Sequence, residues 1–322
     1  MMPTVPDLRQ LRYFVTVAEE KHFGRAATRL SMTQPPLSQA IKALEETLGV
    51  ELFARTKRSV ELTLVGADLL PEVQRLLAAA EALRPLAQSL ARGETGVLSL
   101  AFVSTADYGL LPLLLRDFGA RYPRVRLELT EATSDVQMDE LMAGRIDAGL
   151  VIAPLPSRHA GQLAWLPIAR EPLVIAMSAD TAASVNSAGD PAMEWLDTPL
   201  SLRELADAPL VIFPRRLAPG FYDIIMDCYG VAGLTPRIGQ EAIQMQTIVS
   251  LVSAGMGVAL VPQSLRNLRR TGVVYRPLAG SVPAIETGLV WRPAQVSPVL
   301  AGFIEIVQAH AATFEPQSAP PA

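Results

Sequence analysis

Two adjacent prolines, Pro35 and Pro36, stand directly before an apolar series at Leu37, Ile41, Leu44 and Leu48. Proline lacks an amide hydrogen and is tolerated in a helix only in its first turn, so the pair fixes where a helix must begin. Thr33 is placed to act as its N-cap and Gly49 as its stop. Upstream, Leu8 to Glu20 carries Leu11, Tyr13, Phe14, Val17 and Ala18 at largely helical spacing, and Phe23 to Leu30 offers a second short helix with Phe23, Ala26, Ala27 and Leu30 inward. The small Ala26 and Ala27 permit close helix approach, and Ser31-Met32-Thr33 interrupts the pattern. The order is helix, helix, tight turn, proline-capped helix.

The last of these helices turns Gln34, Ser38, Gln39 and Lys42 outward, groups able to hydrogen-bond base edges or phosphates in a major groove wide enough for one helix. Residues 51–55 and 60–63 flank Thr56-Lys57-Arg58-Ser59, which reads as a short hairpin setting Arg55, Lys57 and Arg58 beside the helix for phosphate contact. A polar helix face is ordinarily only solvated, and a Lys-Arg tip only a soluble turn. The reading rests on all the features occurring in one order with apolar registers that point to one core. The DNA-facing set is then Thr33, Gln34, Pro35, Pro36, Ser38, Gln39, Lys42, Arg55, Lys57 and Arg58. Charge distribution agrees: residues 1–65 hold nine Lys or Arg against seven Asp or Glu, the remainder 19 against 25, for a net charge of −4.

From Leu69 the residues Leu69, Val73, Leu76, Ala80, Leu83, Ala87 and Leu90 alternate spacings of four and three. A 3.5-residue repeat keeps an apolar stripe facing a partner helix, so a pairing seam is expected; packing on the chain's own C-terminal domain is the alternative. Pro71 and Pro85 fall on the outer side of that helix. Arg92-Gly93-Glu94-Thr95-Gly96 reads as a hinge.

Beyond it the pattern alternates: strand Val97 to Val103, helix Tyr108 to Arg121, strand Val125 to Glu131, helix Val136 to Ala143, strand Ile146 to Val151. Further strands are expected at Glu171 to Met177, Leu210 to Phe213, Arg237 to Glu241, Val258 to Val261, Val273 to Arg276 and Thr287 to Trp291, with helices at Pro219 to Tyr229, Ile243 to Ala254 and Pro298 to Ala311. This is a parallel α/β pattern, whose ligands bind off the carboxyl ends of strands where helix N-termini expose unpaired amides. Those ends carry Ser104, Thr105, Thr133, Ser134, Pro214 and Arg215, with Gln246 opening a later helix and Phe221 as an apolar wall. The set suits a small carboxylate with Arg215 as counter-charge. Asp107, positioned to cap the helix after Thr105, works against an anion, and each Ser or Thr has helix capping as its plain alternative role.

At 322 residues, 50% hydrophobic and 19% charged, the chain is expected to form two soluble domains joined by a linker. The single Cys228 and the lack of a basic-then-apolar opening favour a cytoplasmic setting. The apolar run Ile248 to Pro262 is interrupted by Ser250, Ser253, Gly255 and Gly257 and falls short of the roughly 20 residues of a bilayer span, so no membrane partner is expected.

Taken together, Leu8-Arg9-Gln10-Leu11-Arg12-Tyr13-Phe14, Phe23 with Ala26-Ala27 and Leu30, Thr33-Gln34-Pro35-Pro36-Leu37-Ser38, Leu44-Glu45, Leu48-Gly49, Leu52-Phe53, Arg55 and Leu62-Thr63 resemble the signature of the LysR-type bacterial transcriptional regulators. Gln39-Ala40, where many members have Arg-Gln, and Val65, where Ala is more usual, depart from it. Gly144 to Gly149 and Val252 to Pro262 look like further family segments, so that the resemblance spans nearly the whole chain apart from a polar surface loop at Asp180 to Trp195 and the tail from Glu315. It implies an α/β fold class with an N-terminal winged helix-turn-helix over 1–65, a linker and dimerisation helix over 66–93, and a C-terminal two-lobed periplasmic-binding-protein-like domain over 94–315. Lobe I would take about 94–167 and 272–315 and lobe II about 168–271, with crossings near Pro167 to Glu171 and Arg269 to Val273. Double-stranded DNA, a small-molecule effector between the lobes, and a homodimer assembling to a homotetramer are the implied partners. The opening segment and Gly109-Leu110-Leu111-Pro112 resemble members that sense aromatic-degradation intermediates.

Two rival readings carry less. For an enzyme, His22, His159 and His310 are far apart in the chain, Cys228 has no neighbouring histidine, and no phosphate-cradling glycine loop or metal-ligand cluster appears, so no catalytic residue, metal or cofactor is assigned. A solute-binding protein would suit the C-terminal 225 residues, but not the N-terminal helix-turn-helix.

Overall fold

The computed structural model describes residues 5–55, 60–155, 161–185, 197–280 and 283–312. The chain divides into two compact units, Met1–Gln88 and Ser89–Ala322.

In the first unit, α1 (Leu8–Glu20) begins at Asp7, whose carboxylate accepts from the Arg9 amide while Gln10 closes the capping box. Helix α2 (Phe23–Arg29) is capped by the His22 ring, whose Nδ1 accepts from the amides of Gly24 at 3.0 Å and Arg25 at 3.3 Å. Helix α3 (Gln34–Leu48) follows, with its prolines in the first turn and Gly49 closing it in the left-handed conformation. Thr33 occupies the N-cap position, yet its hydroxyl makes no capping bond. Strands β1 (Phe53–Arg55) and β2 (Val60–Leu62) pair antiparallel, the wing expected from sequence. The core unites Phe14, Val17, Ala26, Leu37, Ile41, Leu44, Leu52 and Phe53, with Phe53 ringed by Phe14 and Phe23 at 5.5 and 6.1 Å between centroids. Each such buried large side chain contributes about 2 kcal/mol. Glu45 pins the wing to α3, its Oε1 accepting from the amides of Leu52 at 2.9 Å and Phe53 at 3.2 Å.

Helix α4 (Leu64–Ala91) is capped by Thr63 Oγ1, which accepts from the Gly66 amide at 3.0 Å. It contains both Pro71 and Pro85, exposed as expected. The seam read from sequence is here two stripes. Val73 and Leu77, with Leu69 and Leu70, pack into the first unit's own core, while Leu76, Leu83, Leu86 and Leu90 stay 48–62% exposed. The first members of the heptad series therefore serve the domain core, because the Leu69-Val73 row continues at 3.6 spacing to Leu77, a residue the 3.5 series skips.

The second unit opens with β3 (Thr95–Phe102), a 3₁₀ turn at Ser104–Tyr108, α5 (Leu110–Arg121), β4 (Arg124–Glu131), α6 (Ser134–Met142) and β5 (Ala148–Ile152). Next come β6 (Ala164–Ser178), α7 (Ala179–Ser184), β7 (Leu210–Ile212), α8 (Pro219–Val231), β8 (Ile238–Glu241), α9 (Met245–Ser253), β9 (Ala259–Pro262), β10 (Val273–Pro277), β11 (Ala284–Trp291) and α10 (Pro298–Ala311). The main sheet runs β10–β6–β11–β5–β3–β4, with β9 also on β6; β3 is parallel to β4 and β5, whereas β6 and β11 run antiparallel to their neighbours. It is a mixed sheet, not a purely parallel one. A separate parallel pair, β7–β8, lies under α8 and α9.

Two large hydrophobic cores result, beside a smaller cluster of Ala101, Met138, Leu141, Ile146, Val151 and Val290. One gathers Leu98, Leu100, Leu114, Phe118, Leu150, Leu289 and Phe303, the other Ile175, Met177, Ile212, Ile225, Ile248, Val261 and Leu265. They meet along β6, whose first half pairs with β11 and whose second half pairs with β9 and β10. The first crossing, expected near Pro167 to Glu171, runs along one continuous strand whose pairing passes from β11 to β9 between Pro172 and Leu173, with Pro167 opposite Gly288 where the β11 register shifts, one of the sites at which a strand tolerates proline. Two expectations are corrected. The second crossing is not at Arg269 to Val273: β10 pairs with Ser178 to Val174 and belongs to the second core, so the chain returns between β10 and β11. The stretch from Asp180 is helical through Ser184 rather than loop, with Ser178 Oγ accepting from the Thr181 amide at 3.1 Å; 186–196 lie outside the described residues. No helix among the described residues is long and apolar enough to cross a membrane.

Gly66 generates a direct test. A Cβ there would meet the Leu52 carbonyl oxygen at 2.2 Å, a backbone atom that Glu45 helps hold in place. Gly66→Ala is expected to lower the stability of the first unit by about 2 kcal/mol, read as a lower urea midpoint for its transition in the full chain.

Candidate functional site

Two surfaces collect the residues singled out above. On α3, Leu37, Ile41 and Leu44 are completely buried, which forces the opposite side of the helix outward. Gln34, Pro35, Pro36, Gln39 and Lys42 are exposed there, with Ser38 half-buried among them and Thr33 exposed at the N-cap. Lys42 Nζ lies 3.7 Å from Glu46, one turn along, a solvated pair of small energetic weight. Within the first three positions of α3 only Gln34 carries an amide hydrogen, since Pro35 and Pro36 have none, so the helix start presents the unengaged Thr33 hydroxyl and few backbone donors. Arg55 closes β1; its side chain, with Lys57 and Arg58, lies outside the described part.

The second surface is a cavity of about 300 Å³ where the two cores of the Ser89–Ala322 unit face each other. From the first core's side it is lined by Val103, Ser104, Thr105, Glu131, Thr133, Ser134, Asp135 and Ile152, and from the second by Phe213, Leu217, Gly220, Phe221 and Gln244. Phe213 and Phe221 meet edge to face at 5.6 Å and 75°, so one wall is aromatic. Thr105 is 7% exposed and its hydroxyl has no hydrogen-bond partner among the described residues. A buried hydroxyl left so costs free energy that a ligand can return. The Ser134 hydroxyl accepts from the Ile152 amide at 3.2 Å, and the Thr133 hydroxyl donates to Asp135 at 2.5 Å. Helices α6 and α8 begin at the cavity wall without side-chain caps, so the first-turn amides of Ser134, Asp135, Gly220 and Phe221 stand unpartnered within their helices.

Of the expected effector-binding residues, Ser104, Thr105, Thr133, Ser134 and Phe221 line this cavity and three do not. Arg215 is engaged elsewhere: its guanidinium makes a bidentate pair with Asp223 at 2.8 and 3.1 Å, which holds the Asp223 carboxyl below its usual range, and it is not a counter-charge for the cavity. Pro214 is buried in a turn, its carbonyl accepting from the Leu217 amide at 3.0 Å. Gln246 lies in a small adjoining crevice with Asp107 and Tyr108, where burial pushes the Tyr108 phenol up. Asp107 caps no helix, since it falls inside the 3₁₀ turn and α5 starts only at Leu110. Sequence reading singles out Gln244 beside Gln246 but misses Glu131, Asp135 and Phe213, although Asp135 immediately follows Thr133-Ser134. No group of three or more His, Cys, Asp or Glu among the described residues could hold a metal.

Thr105→Val removes the unpartnered hydroxyl while keeping shape. In the ligand-free protein it is expected to raise stability by up to about 1 kcal/mol, seen as an upward shift of the melting temperature. A clear drop instead would mean that the hydroxyl already has a partner.

The chain matches known proteins over both units. Residues 8–67 match the family model described as "Bacterial regulatory helix-turn-helix protein, lysR family", and residues 91–312 match the "LysR substrate binding domain". The chain is 50% identical over 301 residues to the HTH-type transcriptional regulator IlvR of Caulobacter vibrioides, covering 94% of this chain and 97% of that protein. It is 38% identical to the HTH-type transcriptional regulator AlsR of Bacillus subtilis, covering 93% and 95%. Neither relative is an enzyme. Among solved structures, full-length CbnR complexed with its target DNA superposes with a TM-score of 0.78 at 30% identity, covering 95% of this chain and 99% of that one.

Proposed function

Because the chain belongs to the LysR-type family of bacterial transcriptional regulators, we propose that α3 reads operator DNA and that a small organic acid in the cavity between the two cores sets the regulatory outcome. The DNA half is supported by the exposed α3 face and by the CbnR structure, a similar full-length protein that holds its target DNA. In this reading Gln34, Ser38 and Gln39 reach base edges, while Thr33, Lys42 and the wing residues Arg55, Lys57 and Arg58 hold phosphates, and Pro35 and Pro36, which have no amide hydrogen, give only apolar contact.

The observation that carries the effector half is the buried, unpartnered Thr105 hydroxyl beside the open first turns of α6 and α8. These donors suit the carboxylate end of a ligand, beside the Glu131 and Asp135 carboxylates that line the same cavity. An aromatic body would lie on Phe213 and Phe221. The two-lobed arrangement is that of a periplasmic-type binding domain, and closure of the lobes on the ligand biases the arms that hold DNA. In this reading the helix-turn-helix runs to about residue 65, the linker helix to about 93, and the effector domain lies beyond.

The exposed Leu76, Leu83, Leu86 and Leu90 row supports a homodimer through α4, with a homotetramer as the family assembly. A dimer presents two α3 helices to paired half-sites. The cytoplasm is the compartment such a regulator works in.

Three measurements test this. Gln34→Ala should relax sequence preference at one operator position by about 1–3 kcal/mol, whereas Lys57→Ala should weaken binding to all DNA alike and reduce the salt slope by about 1; an equal loss across sequences for Gln34→Ala would refute base reading. Thr105→Val should bind operator normally and lose its response to the effector. Leu83→Asp, a site 62% exposed, should convert dimers to monomers in sedimentation without unfolding the chain.

A further inference from the structure

The cavity that receives the effector carries carboxylates as well as donors. Glu131 closes β4 at its rim, and Asp135 stands in the first turn of α6, one residue after Ser134. Asp107 and Glu131 line the adjoining crevice. Among the described lining residues of both there is no Lys, Arg or His, and Arg215, the cation expected from sequence, is committed to Asp223. A simple carboxylic acid bound there would gain the amides and the Thr105 hydroxyl but would lie against uncompensated negative charge. A simple amine would meet Glu131 and Asp135 but leave the donors unmatched.

Only a ligand carrying both charges satisfies both sets. We infer that the effector is a zwitterion, an α-amino acid with an uncharged apolar side chain: its carboxylate on the α6 and α8 amides and the Thr105 hydroxyl, its ammonium on Asp135 and Glu131, and its side chain on Phe213, Phe221 and Leu217. The α rather than the ω arrangement follows from Asp135 sharing one helical turn with the amides of the cradle, which requires the two ligand charges on neighbouring atoms. The apolar side chain follows from the wall, which contains no polar group beyond those already assigned except Ser104 and Gln244. This inference rests on the cavity being the effector site and adds the ligand class to it.

The test uses the full-length protein and two matched series: phenylalanine, 3-phenylpropanoate and 2-phenylethylamine, and leucine, 4-methylpentanoate and 3-methylbutylamine. Binding is read by calorimetry and by the shift in melting temperature. One amino acid is expected to bind at least about tenfold tighter than both its deaminated and its decarboxylated counterparts, a factor equivalent to about 1.4 kcal/mol. In the double variant Glu131→Gln, Asp135→Asn, which preserves size and the acceptor for Thr133, that preference should vanish and the deaminated acid should bind at least as well as the amino acid. Equal or tighter binding of the deaminated acid to the unaltered protein would overturn the zwitterion while leaving the organic-acid reading intact. Tightest binding by the amine, or no binding in either series, would overturn both. A double variant that keeps full discrimination would also overturn the assignment, and its own melting curve shows whether it is folded.

Discussion

Strand β6 is 15 residues long, and its two halves are hydrogen-bonded into different cores. Ala164 to Pro172 pair with β11, while Leu173 to Ser178 pair with β9 and β10. The cavity exists because these two half-sheets share one strand yet each builds its own hydrophobic interior, with α6 and α8 starting at opposite walls of the gap. Glu171, near the midpoint, accepts from the Ser264 amide at 2.6 Å and hydroxyl at 3.1 Å, and burial pushes its carboxyl up. That pair of bonds ties the segment after β9 to the shared strand. The donors facing the cavity are backbone groups at helix starts, so their position is set by the packing of whole helices rather than by side-chain rotamers.

The first unit obeys a similar logic at smaller scale. Burying Leu37, Ile41 and Leu44 leaves α3 one rotational setting, and Glu45 then fastens the wing to the same helix. Helix α3 and the β1–β2 pair are therefore fastened together. At the far end of α4, Ser89 is buried and bonds Glu94 at 3.0 Å, while Arg92 and Arg124 flank the same carboxylate and hold it down at about 2. The segment that reads as a hinge thus ends in a cluster of charge-assisted bonds.

Most elements are legible in the sequence because their apolar periodicity is strong and their ends are marked: α3 by its prolines and Gly49, α10 by Ser297-Pro298, α8 by Pro219. What escapes is set by partners distant in the chain. The full length of β6 is not readable from its own residues, because its first half is held by β11 and its second by β9 and β10, all far downstream in the chain, with Pro167 accommodated opposite Gly288 where the register shifts. Arg215 has the character of a ligand counter-charge until Asp223, presented by α8, claims it. The Thr105, Thr133 and Ser134 cluster is readable because strand ends and helix starts carry their own signals. Glu131 and Asp135 are not, because an acid in a helix's first turn ordinarily serves that helix and one at a strand end carries no signal of its own.

Helix α4 carries two adjacent apolar rows of different period, one spent inside its own domain and one turned to water. Because they share a single backbone, whatever covers the outer row also stiffens the inner one. If a second copy covers the outer row, as proposed, dilution does more than separate the pair: it loosens the helix that packs into the first unit's core. Operator occupancy by such a dimer would rise more steeply than in proportion to its abundance, so that synthesis rate itself would become a control input.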